Sequence, residues 1–181
     1  MKHPFLEIPR SRRLNLFVLF LALTLLAMMA LNISGRALAT DAAPSGIVSY
    51  EFSGDVASAE EIISSWDETA RISAGFNLGL DYLYLLLYAS TIAMALLWLT
   101  EGIRISWLTA LAVMLAWAMG LAALLDASEN YALFTMLVNG PAKPWPQVAW
   151  WCAAVKFGLV IAGLLLVLIA IIVRVLRRWR R

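Results

Sequence analysis

FNLGLDYLYLLLYASTIAMALLWL, residues 76–99, is the stretch that decides the fold. It is long and apolar enough to cross a membrane as a helix. Along it Asn77, Asp81, Tyr84, Tyr88 and Thr91 recur at i, i+4, i+7, i+11 and i+14. That spacing puts all five on one helix face. An ionised carboxylate costs roughly 3 kcal/mol or more at the centre of a membrane helix, so such a stripe faces protein or a wet cavity rather than lipid. Asp81 therefore implies neighbours, and this one segment implies a bundle.

Three further apolar stretches supply them, at 14–31, 105–126 and 148–173. Each approaches the ~20 residues that a hydrocarbon core of ~30 Å requires. Backbone groups find no water there, so each must be a helix. The expected fold is an all-α membrane protein, a four-transmembrane-helix bundle forming one membrane domain over residues 1–181. The third pattern runs on toward Leu137 before Asn139-Gly140-Pro141 ends it. A helix of that length tilts or protrudes from the bilayer.

Composition agrees with this class. The chain of 181 residues is 62% hydrophobic, and its 14% charged residues compare with about 25% in soluble domains. Cys152 is the only cysteine, which excludes an intrachain disulfide, and it reads as an inert buried thiol. His3 is the only histidine and falls in the N-terminal tail, leaving no histidine-based metal cluster or triad. Phosphate-cradling glycine loops and zinc motifs are also missing. No cofactor, metal or nucleic-acid partner is expected.

Lys and Arg set the orientation. Lys2, Arg10, Arg12 and Arg13 precede the first span, Arg104 sits between the second and third, and Arg174, Arg177, Arg178, Arg180 and Arg181 follow the fourth. Both termini should be cytoplasmic, with loops 32–75 and 138–147 outside an inner membrane. Trp66, Trp145, Trp150 and Trp151 would form the outer aromatic belt, and Trp98, Trp107 and Trp179 the inner one. Ala37-Leu38-Ala39 offers a signal-cleavage pattern. Span 1 exceeds an h-region of about 7–15 residues, however, and Arg36 abuts the site, so span 1 is read as retained.

Loop 32–75 has a pattern of its own. Val48, Tyr50 and Phe52 alternate with Ser49 and Glu51, which predicts a short extended segment over 47–52. Ser58 and Glu61 have capping-box spacing, and Ile62, Trp66 and Ala70 follow at helical intervals. An amphipathic helix is expected over about 56–72, resting on the outer interface, capping the bundle or merely connecting.

Polar groups from three spans converge at one depth. Asp81 lies about 7–8 Å below the start of its helix at 1.5 Å per residue. Asp126, Glu129 and Asn130 share a face at i, i+3, i+4 near the outer boundary. Lys156 sits a third of the way down the last span, and its side chain leans back toward the same level. A buried ion pair with Asp81 or Asp126 that merely fixes helix register is one reading. Glu129 and Asn130 could equally lie among headgroups. Three carboxylates against one lysine favour a binding site, because a pair leaves an acidic excess for a proton, a cation or a cationic ligand to relieve. The expected site comprises Asp81, Tyr84, Tyr88, Asp126, Glu129, Asn130 and Lys156. Small-residue ridges, Ala112/Ala116/Gly120 and Ala154/Gly158/Ala162, would let spans 3 and 4 pack closely. Trp117 reads as packing, and Tyr82 as core or cavity wall.

Ile47–Phe52, Trp66, Leu80-Asp81-Tyr82-Leu83, Leu125-Asp126-Ala127-Ser128-Glu129-Asn130 and Val155-Lys156-Phe157 together form a pattern over about two-thirds of the chain. In this it resembles small bacterial four-span membrane proteins, a resemblance that implies the fold and no activity. Asp81 and Asp126 could suggest an intramembrane aspartic protease, but neither is directly preceded by the expected glycine. Three functions stay open. The first is binding of a small amphiphile or cation, with proton coupling. The second is an accessory subunit of a larger membrane complex, docking through the Ile62/Trp66 face. The third is a lipid-modifying enzyme with a carboxylate base. Membrane lipids, a membrane-protein partner and a second copy are the expected partners.

Overall fold

The computed structural model describes residues 3–103 and 105–179, and every regular element among them is a helix. Lys2, Arg104, Arg180 and Arg181 lie outside the described residues, as do the side chains of Arg177, Arg178 and Trp179. Four long helices, α1 (Arg10–Ser34), α4 (Glu68–Thr100), α5 (Ser106–Asn139) and α6 (Trp145–Trp179), are each long and apolar enough to cross a membrane. Between α1 and α4 come a 3-10 turn (Gly35–Leu38) and two short helices, α2 (Ile47–Glu51) and α3 (Val56–Ser65).

The extended segment expected over 47–52 is helical instead. No neighbouring strand is present among the described residues to take its backbone hydrogen bonds. Gly46, at φ +59°, turns the chain into α2, and the Ser49 hydroxyl accepts the Ser45 amide at 3.0 Å. Tyr50 and Glu51 are both buried, which adjacent residues on a strand could not be on one face.

The helix expected over 56–72 is two helices. Asp55 caps α3, accepting the Ser58 amide at 2.9 Å and its hydroxyl at 2.8 Å, so the Ser58/Glu61 box is not the start. The chain then extends at Trp66, and Asp67 caps α4 by accepting the Ala70 amide at 2.7 Å. Trp66 explains the break. Its ring is 2% exposed, edge-on to Tyr50, and its Nε1 donates to the Leu38 carbonyl at 3.0 Å. Trp66 thus belongs to a core and not to an interfacial belt.

α4, α5 and α6, with 33 to 35 residues each, run about 50 Å at 1.5 Å per residue, well beyond a ~30 Å hydrocarbon core. Their surplus turns carry the segment from Gly35 to Asp67, which makes this the capped end of the bundle. Here Leu38, Tyr50, Ile62, Trp66, Leu133 and Met136 form one apolar core. A second core lies within the spans, around Leu96, Leu108, Ala112, Met119 and Leu166. At the opposite end Arg174 folds over the C-terminus of α4, donating to the carbonyls of Trp98, Leu99 and Glu101 at 2.7–2.9 Å. Arg13 donates to the Glu101 carboxylate there at 3.4 Å. His3 does not trail free but packs on Trp117, ring centroids 4.8 Å apart.

α1 is peripheral. Thr24 and Ala27 are its only buried residues, and it lies along α4, leaving a cleft toward α6. Two members of the α4 stripe hold it. The Thr91 hydroxyl bonds that of Thr24 at 2.9 Å, and Asn77 Nδ2 donates to the Leu31 carbonyl and the Ser34 hydroxyl at 2.9 and 2.8 Å.

The glycine in tightest surroundings is not in either expected ridge. Gly120 and Gly158 face open space, whereas a Cβ on Gly163 would lie 3.1 Å from Ile92 Cγ2 and 3.3 Å from Met119 Cε. Gly163→Ala should therefore lower stability by about 1–3 kcal/mol through overpacking. Gly158→Ala should be neutral. Thermal unfolding of both variants in detergent checks the contrast.

Candidate functional site

The middle of the α4 stripe, Asp81, Tyr84 and Tyr88, is left over after Asn77 and Thr91 have engaged α1. It faces α5, α6 and α2. The α5 helix presents Asp126, Glu129 and Asn130 on one face, all buried, and Glu129 is wholly so. Glu129 and Asn130 are therefore enclosed by the protein itself, beneath the capping segment, whatever their depth. From α6 comes Lys156, only 7% exposed.

The Lys156 ammonium is the hub. It donates to Asp126 Oδ1 at 2.6 Å and to Glu129 Oε1 at 2.9 Å, and Glu51 Oε2 stands 3.9 Å away. Tyr88 donates its hydroxyl to the other Asp126 oxygen at 2.9 Å, so both oxygens of that carboxylate are satisfied. Asp81 is not one of the lysine's ion-pair partners. It accepts instead from Asn130 Nδ2 at 2.6 Å, an acid–amide pair one helical turn nearer the capped end. Tyr82 points away and is 43% exposed, its hydroxyl donating to the Ala127 carbonyl.

Glu51 went unnoticed in the sequence because it stood among the acids of the loop. Read as a helix, Ile47, Tyr50 and Glu51 fall at i, i+3, i+4, and that spacing would have put Glu51 on the apolar face. Its carboxyl is 8% exposed and its Oε2 has no hydrogen-bond partner. Glu129 Oε2 is likewise buried and unpartnered, and the two side chains lie within hydrogen-bonding reach of each other. Burial pushes the Glu51 carboxyl above the usual carboxylate range. The Lys156 charge pulls it back down, and Asp126 pushes it up again.

Two cavities meet at this cluster. One, of about 320 Å³, reaches into the bundle. Its polar end is lined by Glu51, Asp81, Tyr84, Tyr88, Asp126 and Lys156, and its apolar end by Leu21, Val160 and Leu164 at the cleft between α1 and α6. The other, about 410 Å³, is a vestibule at the capped end with Asn32, Arg36, Asn77 and Asn130 in its wall. Glu51, Asp81 and Tyr84 line both. Among the described residues no three His, Cys, Asp or Glu side chains are arranged as a metal-ligand set.

Three carboxylates stand within 4 Å of one ammonium, all with buried side chains, and Asp81 lines the cavities beside them. Removing ions from water costs several kcal/mol each, which close pairing only partly returns. Comparison with protein-family models, with curated proteins and with solved structures finds no match for this chain.

Removing the lysine would strand its partners. Lys156→Met should destabilise the fold by about 3–5 kcal/mol, and adding Glu129→Gln should restore part of that loss, as denaturant unfolding in detergent would show. Glu51 contributes a pH dependence of definite sign. Because its folded carboxyl holds a proton more tightly than the unfolded chain does, stability falls as pH rises through and above the ordinary carboxylate range. Glu51→Gln should flatten that slope in melting curves taken from acidic to alkaline pH.

Proposed function

We propose that this chain binds a small amphiphile bearing a cationic group, held in the cavity between α1, α4 and α6. One observation carries the reading. A cavity of about 320 Å³ has an acid-rich wall at one end and an aliphatic mouth at the other, the two-part character of an amphiphile. The carboxylates would receive the cationic group, Tyr84 and Tyr88 would flank it, and the apolar tail would leave between α1 and α6 into lipid. A bare cation is the smallest ligand of the same kind.

The same reading places the capped end outside the membrane. Arg10, Arg12 and Arg13 begin α1 and Arg174 lies near the end of α6, while Arg36, Arg71 and Lys143 at the capped end stand among the acids of the capping segment, a balance that supports a cytoplasmic face at the opposite end. The accessory-subunit reading loses its expected docking face, because Ile62 and Trp66 are 5% and 2% exposed within the protein's own core. What remains for a partner is the apolar outer surface of the four long helices.

Asp81→Asn is the informative substitution, since it keeps the shape and the Asn130 contact while removing a charge. Native mass spectrometry of gently extracted protein should show a discrete bound mass on the wild type and none on Asp81→Asn. Decylamine should displace that mass and decyl sulfate should not. A heteromer of defined stoichiometry with no small molecule would replace this function with the subunit reading.

A further inference from the structure

Glu51 is the one carboxylate that belongs to the lysine cluster and also lines both cavities. The two mouths it connects differ in kind. Toward α1 and α6 the lining is Leu21, Val160 and Leu164, and the Thr24 and Thr91 hydroxyls beside them are bonded to each other. In the vestibule Asn32 and Arg36 are exposed, and Asn77 and Asn130 lie deeper, which makes a polar track from the surface to Glu51. Two buried carboxylate oxygens, Glu51 Oε2 and Glu129 Oε2, face this region without a partner. A single proton between them would satisfy both.

We infer that Glu51 and Glu129 share one proton, and that Glu51 exchanges it with solvent at the capped end through the vestibule. Hydronium there gives its proton to the Glu51 carboxylate and leaves as water. The resulting O–H then donates to Glu129 Oε2, and release reverses these steps. Every charged or titratable group facing Glu51 fits this role. From α6, Lys156 stabilises the ionised form, and from α5, Asp126 favours the protonated one while Glu129 stands within hydrogen-bonding reach of Glu51. From α4, Asp81 lines both cavities beside Tyr84, and Arg36 of the 3-10 turn stands in the vestibule wall. The consequence for binding rests on the function proposed above: a cationic group entering among the carboxylates replaces the proton's charge, and one proton leaves through the vestibule.

The proton can be observed without any ligand. Full-length protein carrying Cys152→Ser, in lipid nanodiscs, is followed by the infrared carbonyl band of protonated carboxyl groups on transfer into heavy water. Glu51→Gln and Glu129→Gln should each remove the same component of that band. A bulky charged thiol reagent attached at Asn32→Cys, with Glu51 intact, should slow hydrogen–deuterium exchange of that component about tenfold, equivalent to a barrier raised by ~1.4 kcal/mol. An apolar maleimide at Leu164→Cys should leave the exchange rate unchanged. A band indifferent to both substitutions, or exchange slowed at Leu164→Cys rather than at Asn32→Cys, would overturn the inference. Exchange that follows the vestibule while decylamine neither binds nor releases a proton would uphold the proton path and remove the amphiphile.

Discussion

One ammonium group, Lys156 Nζ, organises the capped half of this protein. It is nearly cut off from water, yet it stands within 4 Å of carboxylates from α2 and α5. A charge so placed tolerates few arrangements of its neighbours, because each displaced partner leaves an ion unpaired in a poorly polarisable medium. That constraint fixes the rotation of α6 against α5 and draws the short helix α2 down onto the bundle. Tyr50 follows, its hydroxyl donating to the Leu133 carbonyl at 3.0 Å and its ring meeting Trp66. The cap therefore grows outward from a buried charge as much as from apolar contact.

The α4 stripe shows how one sequence pattern serves two purposes. Its ends, Asn77 and Thr91, bond to α1 and secure a helix that buries little surface of its own. Its middle, Asp81, Tyr84 and Tyr88, is turned to the cluster and the cavities. Polar side chains in a membrane helix need partners, and here those partners are split between holding a peripheral helix and lining a hollow.

Spans and polar convergence were legible in the sequence because both rest on strong, long-range signals: continuous apolar length, and a period that places Asp81, Tyr84 and Tyr88 together. The residues between the spans were less so. An alternation across Ile47–Phe52 is too short to distinguish a strand from a single helical turn and a half, and that ambiguity concealed Glu51. Trp66 read as an interfacial residue because nothing local reveals that Leu38 and Tyr50 fold onto it. The pairing of Asp81 with Asn130 rather than Lys156 was equally hidden, since depth can be counted along a helix but rotation about its axis relative to a neighbour cannot. Gly163 escaped for the same reason. A close approach is a property of two helices, and the small-residue ridges on α5 and α6 were the more visible pattern.

The bonds from Arg174 to the last turn of α4 set an order of events during synthesis. Leu99 and Arg174 are 75 residues apart, and the guanidinium is what completes the hydrogen bonding of that helix end. At about 5–20 residues per second, a ribosome needs roughly 4–15 s to travel between them. Throughout that interval α4 has an unfinished terminus, and three carbonyls there rely on water. The final helix is therefore more than the last span to be inserted. Its arrival latches a neighbour made long before it, so a chain stopped short of residue 174 would leave the helix that carries Asp81 unlatched.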